Sequence, residues 1–273
     1  MNHMTGFDLA VSINDLVLTY DDLGSGAIPV IFIHGFPFDK SMWQYQLDAL
    51  RMVNRVIAYD IRGFGKSESG TEEAGMNRYA DDLIAFMDAL KIEKAVLCGL
   101  SMGGYIVLNA ISRYPQRFEA VILCDTQCIA DSSDARESRM KTIAIIKEGG
   151  KATFADAFIK KMFFSATYEI NPNLVQRIRE TIMATSDTTI IAALQALAER
   201  EETCSILNSI KVPSLIICGN SDVVTPLEQS RLMHSRIAGA SIQIIHNAGH
   251  LSNLDQPVEF TKQISGFLNA LMK

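Results

Sequence analysis

Six short apolar runs recur along the chain: Val30–Ile33, Arg55–Tyr59, Ala95–Cys98, Ala120–Cys124, Ser214–Cys218 and Ile242–Ile245. Most are apolar without alternation, the pattern of strands buried on both faces of a parallel sheet. Ahead of them, Leu9–Ile13 and Leu16–Tyr20 flank Asn14-Asp15, which predicts an antiparallel hairpin. Between the runs the apolar period changes to that of a helix, as in Tyr79, Leu83, Phe86, Met87 and Leu90. The closing segment repeats it with Phe260, Ile264, Phe267, Leu268 and Leu271. Thr225-Pro226-Leu227-Glu228 joins a capping-box pattern to Pro at the first helical position, predicting a helix start. Strands alternating with helices predict an α/β fold, a mostly parallel eight-stranded sheet flanked by helices.

The alternation fails between the sixth and seventh strands. Residues 127–209 carry only helical patterns: Met140–Glu148, Phe154–Met162, Leu174–Ala184 and Thr189–Ala198. Residues 1–126 and 210–273 are therefore expected to form the core, with 127–209 as a helical cap, or lid, inserted after the sixth strand. The polar run Asp131-Ser132-Ser133-Asp134 is expected to cap the first lid helix.

Composition narrows the partners. A chain of 273 residues can bury about three quarters of its unfolded surface without a disulfide or metal staple. A net charge of −6 lacks the basic footprint that nucleic acid requires. No apolar run approaches the roughly 18 residues of a membrane span. Met1 to Val11 has no basic stretch followed by an apolar one, so a cytoplasmic location is expected. The five cysteines (Cys98, Cys124, Cys128, Cys204, Cys218) lack CxxC spacing and are expected to be buried reduced thiols, with no metal site. Neither G-x-G-x-x-G nor a Walker-type loop is present, so no nucleotide or other cofactor is called for.

The chemistry concentrates at Gly99-Leu100-Ser101-Met102-Gly103, where a strand runs into G-x-S-x-G and then into a helical pattern. That setting is a nucleophile elbow, which exposes the serine at a strained turn against a helix N-terminus. A serine hydroxyl needs a base. Of the five histidines, His3 lies in the N-terminal segment, His234 mid-helix and His246 at a strand end, while His34 sits in the loop before Gly35. His250, in the loop between the last strand and the closing helix, opens at the same sheet edge as Ser101 and is the candidate base. A carboxylate should hold its imidazole. Asp222 and Asp125 both follow a strand in the order Ser…Asp…His, and Asp222 is favoured because its loop feeds a helix that would rigidify it. The backbone N–H groups of Phe36, in the post-strand His34-Gly35-Phe36-Pro37, and of Met102 are the candidate oxyanion donors. Phe38, Trp43, Phe163 and Phe164 are possible pocket residues.

Taken in order, HGFP, Asp60-Ile61-Arg62-Gly63-Phe64-Gly65-Lys66-Ser67, GLSMGG, GNSDVVTP and AGHLSN resemble the α/β-hydrolase superfamily over essentially the whole chain. Within it, Gly99–Gly104 and His250–Pro257 resemble 3-oxoadipate enol-lactonases and related carboxylesterases. HGFP and Tyr59–Gly65 are equally similar to cofactor-free haloperoxidases, perhydrolases and aryl esterases. The resemblance implies Ser101 as nucleophile, Asp222 as acid, His250 as base and Gln127–Ser209 as cap. It also implies a structural role for the Asp60–Ser67 loop. Relatives that attack with aspartate at the elbow are excluded by Ser101.

The expected activity is hydrolysis of a small carboxylic ester or lactone through an acyl-enzyme. Carbon–carbon bond hydrolysis, or perhydrolysis of the haloperoxidase kind, would use the same triad. A small-ligand receptor of the same fold is the remaining alternative. Oligomeric state is not encoded in any of these features.

Overall fold

The computed structural model describes residues 5–271. Eight strands form one sheet: β1 (Gly6–Ile13), β2 (Leu16–Leu23), β3 (Val30–Ile33), β4 (Val56–Tyr59), β5 (Ala95–Leu100), β6 (Phe118–Cys124), β7 (Ser214–Gly219) and β8 (Ser241–Ile245). Their order is β1-β2-β4-β3-β5-β6-β7-β8. The β1–β2 hairpin and the β2–β4 pair are antiparallel, and every pair from β4 to β8 is parallel. The central strands β3, β5 and β7 are buried along their whole length, which is why their sequences show no alternation.

Successive side chains of a strand point to opposite faces, and both faces are covered. Phe32 meets Trp43 at a ring separation of 5.0 Å, and Trp43 meets Phe260 at 6.1 Å. On the other face Tyr59, the register partner of Ile33, stacks on Phe86 at 4.9 Å. Helices Gln44–Leu50 and Pro257–Leu271 pack together on the first face, and Met76–Ala89 with Met102–Arg113 on the second.

Between β6 and β7 the chain makes only helices: Ser133–Lys147, Lys151–Ile159, Thr167–Ile170, Pro172–Ala184 and Asp187–Glu199, closed by a 3-10 turn at Cys204–Ser209. Ser132 caps the first of them, its hydroxyl accepting from the Ala135 N–H at 3.2 Å. The insert lies against the core through Thr189, whose hydroxyl donates to the Gly63 carbonyl at 3.1 Å, and through Leu251, whose N–H donates to the Met162 carbonyl at 2.9 Å. Among the described residues no helix is long and apolar enough to cross a membrane.

Two local expectations are corrected, and two short helices are added to those expected. Gln44–Leu50 and Thr167–Ile170 are helices that no periodicity announced, being two turns or fewer. The Thr225 capping box does not form: the helix begins at Leu227 without a side-chain cap, and the Thr225 hydroxyl donates to Asp222 instead. The five cysteines are not all reduced, because Cys128 and Cys204 form a disulfide, with Cα atoms 4.8 Å apart across 76 residues of sequence. These two residues stand where the chain leaves and re-enters the core, a proximity created by folding alone. Cys98, Cys124 and Cys218 are free and buried.

Candidate active site

β5 ends one residue before Ser101, and helix Met102–Arg113 begins one residue after it. Ser101 therefore turns the chain within a single residue, with φ of 53°, a left-handed value that is strained for a residue with a side chain. The turn is held on all sides. The Ser101 N–H donates to the Cys124 carbonyl at 3.0 Å, and its own carbonyl accepts from the Thr126 hydroxyl at 2.8 Å. Glycine is required on both flanks, since a Cβ on Gly99 would strike the Gly103 carbonyl and one on Gly103 the Ile33 carbonyl.

The last two strands bring the remaining groups. The loop after β8 delivers His250, whose Nε2 lies 2.8 Å from Ser101 Oγ across 149 residues of sequence. Its Nδ1 lies 2.8 Å from Asp222 Oδ2, in the loop after β7. A carboxylate can only accept, so Nδ1 carries the proton and Nε2 is the acceptor for the serine hydroxyl. Asp222 is saturated: Oδ1 accepts the N–H groups of Val224 and Thr225 at 2.7 and 3.0 Å, and Oδ2 also accepts the Thr225 hydroxyl at 2.7 Å. Burial alone would raise the Asp222 carboxyl, but His250 and the bonds from Thr225 outweigh it and hold the group below the usual carboxylate range.

Asp125, the rival acid, does not reach the imidazole. It is fully buried, accepting the Gly219 N–H at 2.8 Å and a short hydrogen bond from the Ser252 hydroxyl. Burial, reinforced by the neighbouring Asp222 charge, pushes its carboxyl well above the ordinary range. His34 is a brace: Nδ1 donates to the Gly35 carbonyl at 2.9 Å and Nε2 accepts the Ile61 N–H at 3.0 Å. Its complete burial lowers its pKa to about 4, so it stays neutral. His234 and His246 are exposed, and His3 lies outside the described residues. The Asp60–Ser67 loop is tied within itself and to its surroundings, Asp60 accepting the Lys66 and Lys40 N–H groups and Arg62 pairing with Asp82 and Asp15.

The loop after β3 lies against the elbow, a Cβ on Gly35 falling 3.4 Å from Ser101 Cβ. Phe36 and Met102 are buried, yet among the described residues neither backbone N–H has an acceptor. Met102 opens a helix, and N–H groups in the first turn of a helix have no acceptor within the helix itself. Over this loop the insert lays Phe154 and Phe158, their rings 6.2 and 5.8 Å from that of Phe36, with Phe158 6.1 Å from Phe38. Phe154 and Phe158 both fall in the helical pattern Phe154–Met162 of the insert. Trp43 is corrected as a pocket residue: it is fully buried between Phe32 and Phe260, in the core beneath the sheet. Phe163 turns its ring against Tyr168 at 6.0 Å, and Phe164 is half-buried, with its N–H donating to Asp255. Among the described residues no three His, Cys, Asp or Glu side chains converge as metal ligands would.

Comparison with known proteins agrees with this geometry. A family model described as the alpha/beta hydrolase fold matches residues 28–257. The 3-oxoadipate enol-lactonase 1 of Acinetobacter baylyi is 30% identical over 242 residues, 89% of each chain. The structure of a thermophilic esterase from Thermogutta terrifontis superimposes with a TM-score of 0.93 at 32% identity, covering 97% of this chain and all of that one. The enol-lactonase of Burkholderia xenovorans follows at a TM-score of 0.89 and 30% identity, over 96% of this chain and 100% of that one. With its sheet order, its serine elbow and a match spanning most of its length, this chain belongs to the alpha/beta hydrolase family.

Proposed function

We propose that the protein is a serine hydrolase of small carboxylic esters or lactones, with Ser101 as nucleophile, His250 as base and Asp222 as the acid that orients it. The observation that carries this reading is the unbroken chain Ser101 Oγ to His250 Nε2 and His250 Nδ1 to Asp222 Oδ2, each link 2.8 Å. His250 takes the Ser101 proton as Oγ attacks the carbonyl carbon. Negative charge develops on the carbonyl oxygen, where the N–H groups of Phe36 and Met102 can receive it. His250 then returns the proton to the departing alkoxide, leaving an acyl-serine. Water, deprotonated by His250, releases the acid and restores the serine. In a lactone the leaving alkoxide stays tethered to the acyl chain, so the same steps open the ring.

The apolar cover contributed by Phe36, Phe38, Phe154 and Phe158 favours a compact, uncharged acyl group over a long lipid chain. In this reading residues 127–209 act as a cap over that site. Likeness to enol-lactonases and to an esterase supports the same substrate class. The test is one panel of p-nitrophenyl esters, lactones, dienone acids and peracid formation, run on the wild type and on Ser101→Ala. Turnover of esters or lactones that vanishes with Ser101→Ala is expected. Turnover confined to dienone acids or peracids would move the assignment to those chemistries, and a slow single turnover would point to a receptor.

A further inference from the structure

The backbone on both sides of His250 is tied, on one side to Asp255 and on the other directly to the insert. Its predecessor Gly249 donates its N–H to Asp255 Oδ2 at 2.7 Å, and its successor Leu251 donates to the Met162 carbonyl at 2.9 Å. Asp255 reaches across to the insert as well: Oδ2 accepts the Phe164 N–H at 2.8 Å, and Oδ1 accepts the Thr167 hydroxyl at 2.6 Å. The two backbones lie in direct contact, for a Cβ on Gly249 would come 2.6 Å from the Phe163 carbonyl carbon. One carboxylate thus gathers three neutral donors, one from the histidine loop and two from the insert.

We infer that Asp255 is a positioning residue that mounts His250 on the insert, so that the segment 162–167 cannot lift from the core without releasing the base. The inference rests on the proposed role of His250. Its physical content is a shared acceptor. If segment 162–167 moves away, the carboxylate that holds the Gly249 N–H loses its anchors at Phe164 and Thr167, and the Leu251 N–H loses Met162, so the backbone before His250 is loosened and the backbone after it is freed. The imidazole must stay within hydrogen-bond reach of Ser101 and Asp222 together, and a displacement of about 1 Å costs on the order of 10²-fold in rate. Access to Ser101 must then come from parts of the insert other than this segment, which belongs to the catalytic frame.

The experiment compares Asp255→Leu with Asp255→Asn. Leucine fills the space and accepts nothing, leaving the Gly249 and Phe164 N–H groups without a partner. Asparagine can turn its carbonyl oxygen to those two N–H groups and its amide to the Thr167 hydroxyl, which then accepts. For p-nitrophenyl acetate, the leucine variant is expected to lose about 10²-fold in kcat with KM little changed, and to displace the acid limb of its pH–rate profile. The asparagine variant is expected to recover to within about tenfold of wild type. Rates are referred to the folded fraction by circular dichroism. A folded leucine variant with wild-type kcat and pH profile overturns the inference, as does an asparagine variant equally damaged. Amide hydrogen exchange on the wild type needs neither variant nor turnover. Gly249, Leu251 and Phe164 are expected to exchange through one shared opening, and unrelated opening energies would overturn the mount. A wild type that hydrolyses no ester would defeat the proposed function, while the exchange result still decides the role of Asp255.

Discussion

Thr225 sets its hydroxyl 2.7 Å from Asp222 Oδ2, the same oxygen that His250 Nδ1 reaches at 2.8 Å. Thr225 is fully buried, and its N–H serves the other oxygen of the same carboxylate. The Asp222 carboxylate is therefore fixed by its own loop as well as by the imidazole. Thr225→Val keeps the shape and removes one hydrogen bond to a charged acceptor, an interaction worth about 1.5 kcal/mol. Roughly tenfold lower kcat is expected, with KM unchanged and most activity restored in Thr225→Ser. Steady-state kinetics on the three proteins decide it, and an unaltered valine variant would show that the loop backbone suffices.

The two buried aspartates should separate cleanly. Asp222→Asn presents an amide to Nδ1 and is expected to cost about 10⁴-fold in kcat. Ser101→Ala should cost as much or more while leaving the circular dichroism spectrum unchanged, since it removes one hydroxyl from a turn. Asp125→Asn can keep its acceptor on the Gly219 N–H and turn its amide to Ser252, so activity is expected to stay within about tenfold. Greater damage at 125 than at 222 would reverse the assignment of the acid.

Asp125 should instead appear in the pH dependence of stability. Its carboxyl is raised in the folded state by burial and by Asp222, so the folded protein holds a proton that the unfolded chain releases near pH 4. Between those two pKa values the native state binds more protons, and stability falls as pH rises. Asp125→Asn removes that term. Relative to wild type, the variant is expected to gain stability between pH 5 and pH 8. Urea unfolding at both pH values measures this, and a constant difference between the proteins would show that Asp125 is ionised throughout.

What the sequence made legible follows the range of the interactions involved. Buried strands announce themselves in continuous apolar runs such as Val30–Ile33, and the elbow in five consecutive residues, because both are local. Asp125 and Asp222 look alike in sequence, each following a strand, and only tertiary packing turns one carboxyl to Gly219 and Ser252 and the other to His250. Thr225 has the pattern of a helix cap, but a carboxylate three residues earlier competes for its hydroxyl and wins. The Cys128–Cys204 pairing joins positions 76 residues apart, and nothing local marks it.

That disulfide ties the neck of the insert, beside a 2.7 Å hydrogen bond from the Thr203 N–H to the Cys128 carbonyl. A loop of this size, closed in the unfolded chain, contributes about 4 kcal/mol to stability through lost chain entropy. Cys128→Ala with Cys204→Ala is expected to lower the unfolding free energy toward that extent, and dithiothreitol should do the same to the wild type. Denaturant midpoints that are indifferent to both treatments would mean the neck is held by its hydrogen bonds alone.

The final prediction concerns substrate size. Phe154 and Phe158 lie four residues apart on one helix, and both meet the ring of Phe36, which follows Gly35 in the loop packed against Ser101. Phe158 also reaches Phe38, so its ring spans the loop after β3, and it is only partly buried. Phe158→Ala would open room for one or two further methylenes, each worth about 1 kcal/mol in an apolar site. The ratio of kcat/KM for hexanoate over acetate p-nitrophenyl esters is expected to rise about tenfold, while long-chain triglycerides stay poor substrates and lipid surfaces bring no activation. Phe163→Ala is the contrast. Its ring packs on Tyr168 within the insert, so truncation should cost stability, by about 3 kcal/mol, with little change in chain-length preference. If Phe163 rather than Phe158 shifts the ester profile, the acyl chain runs toward the His250 loop and not over the loop after β3.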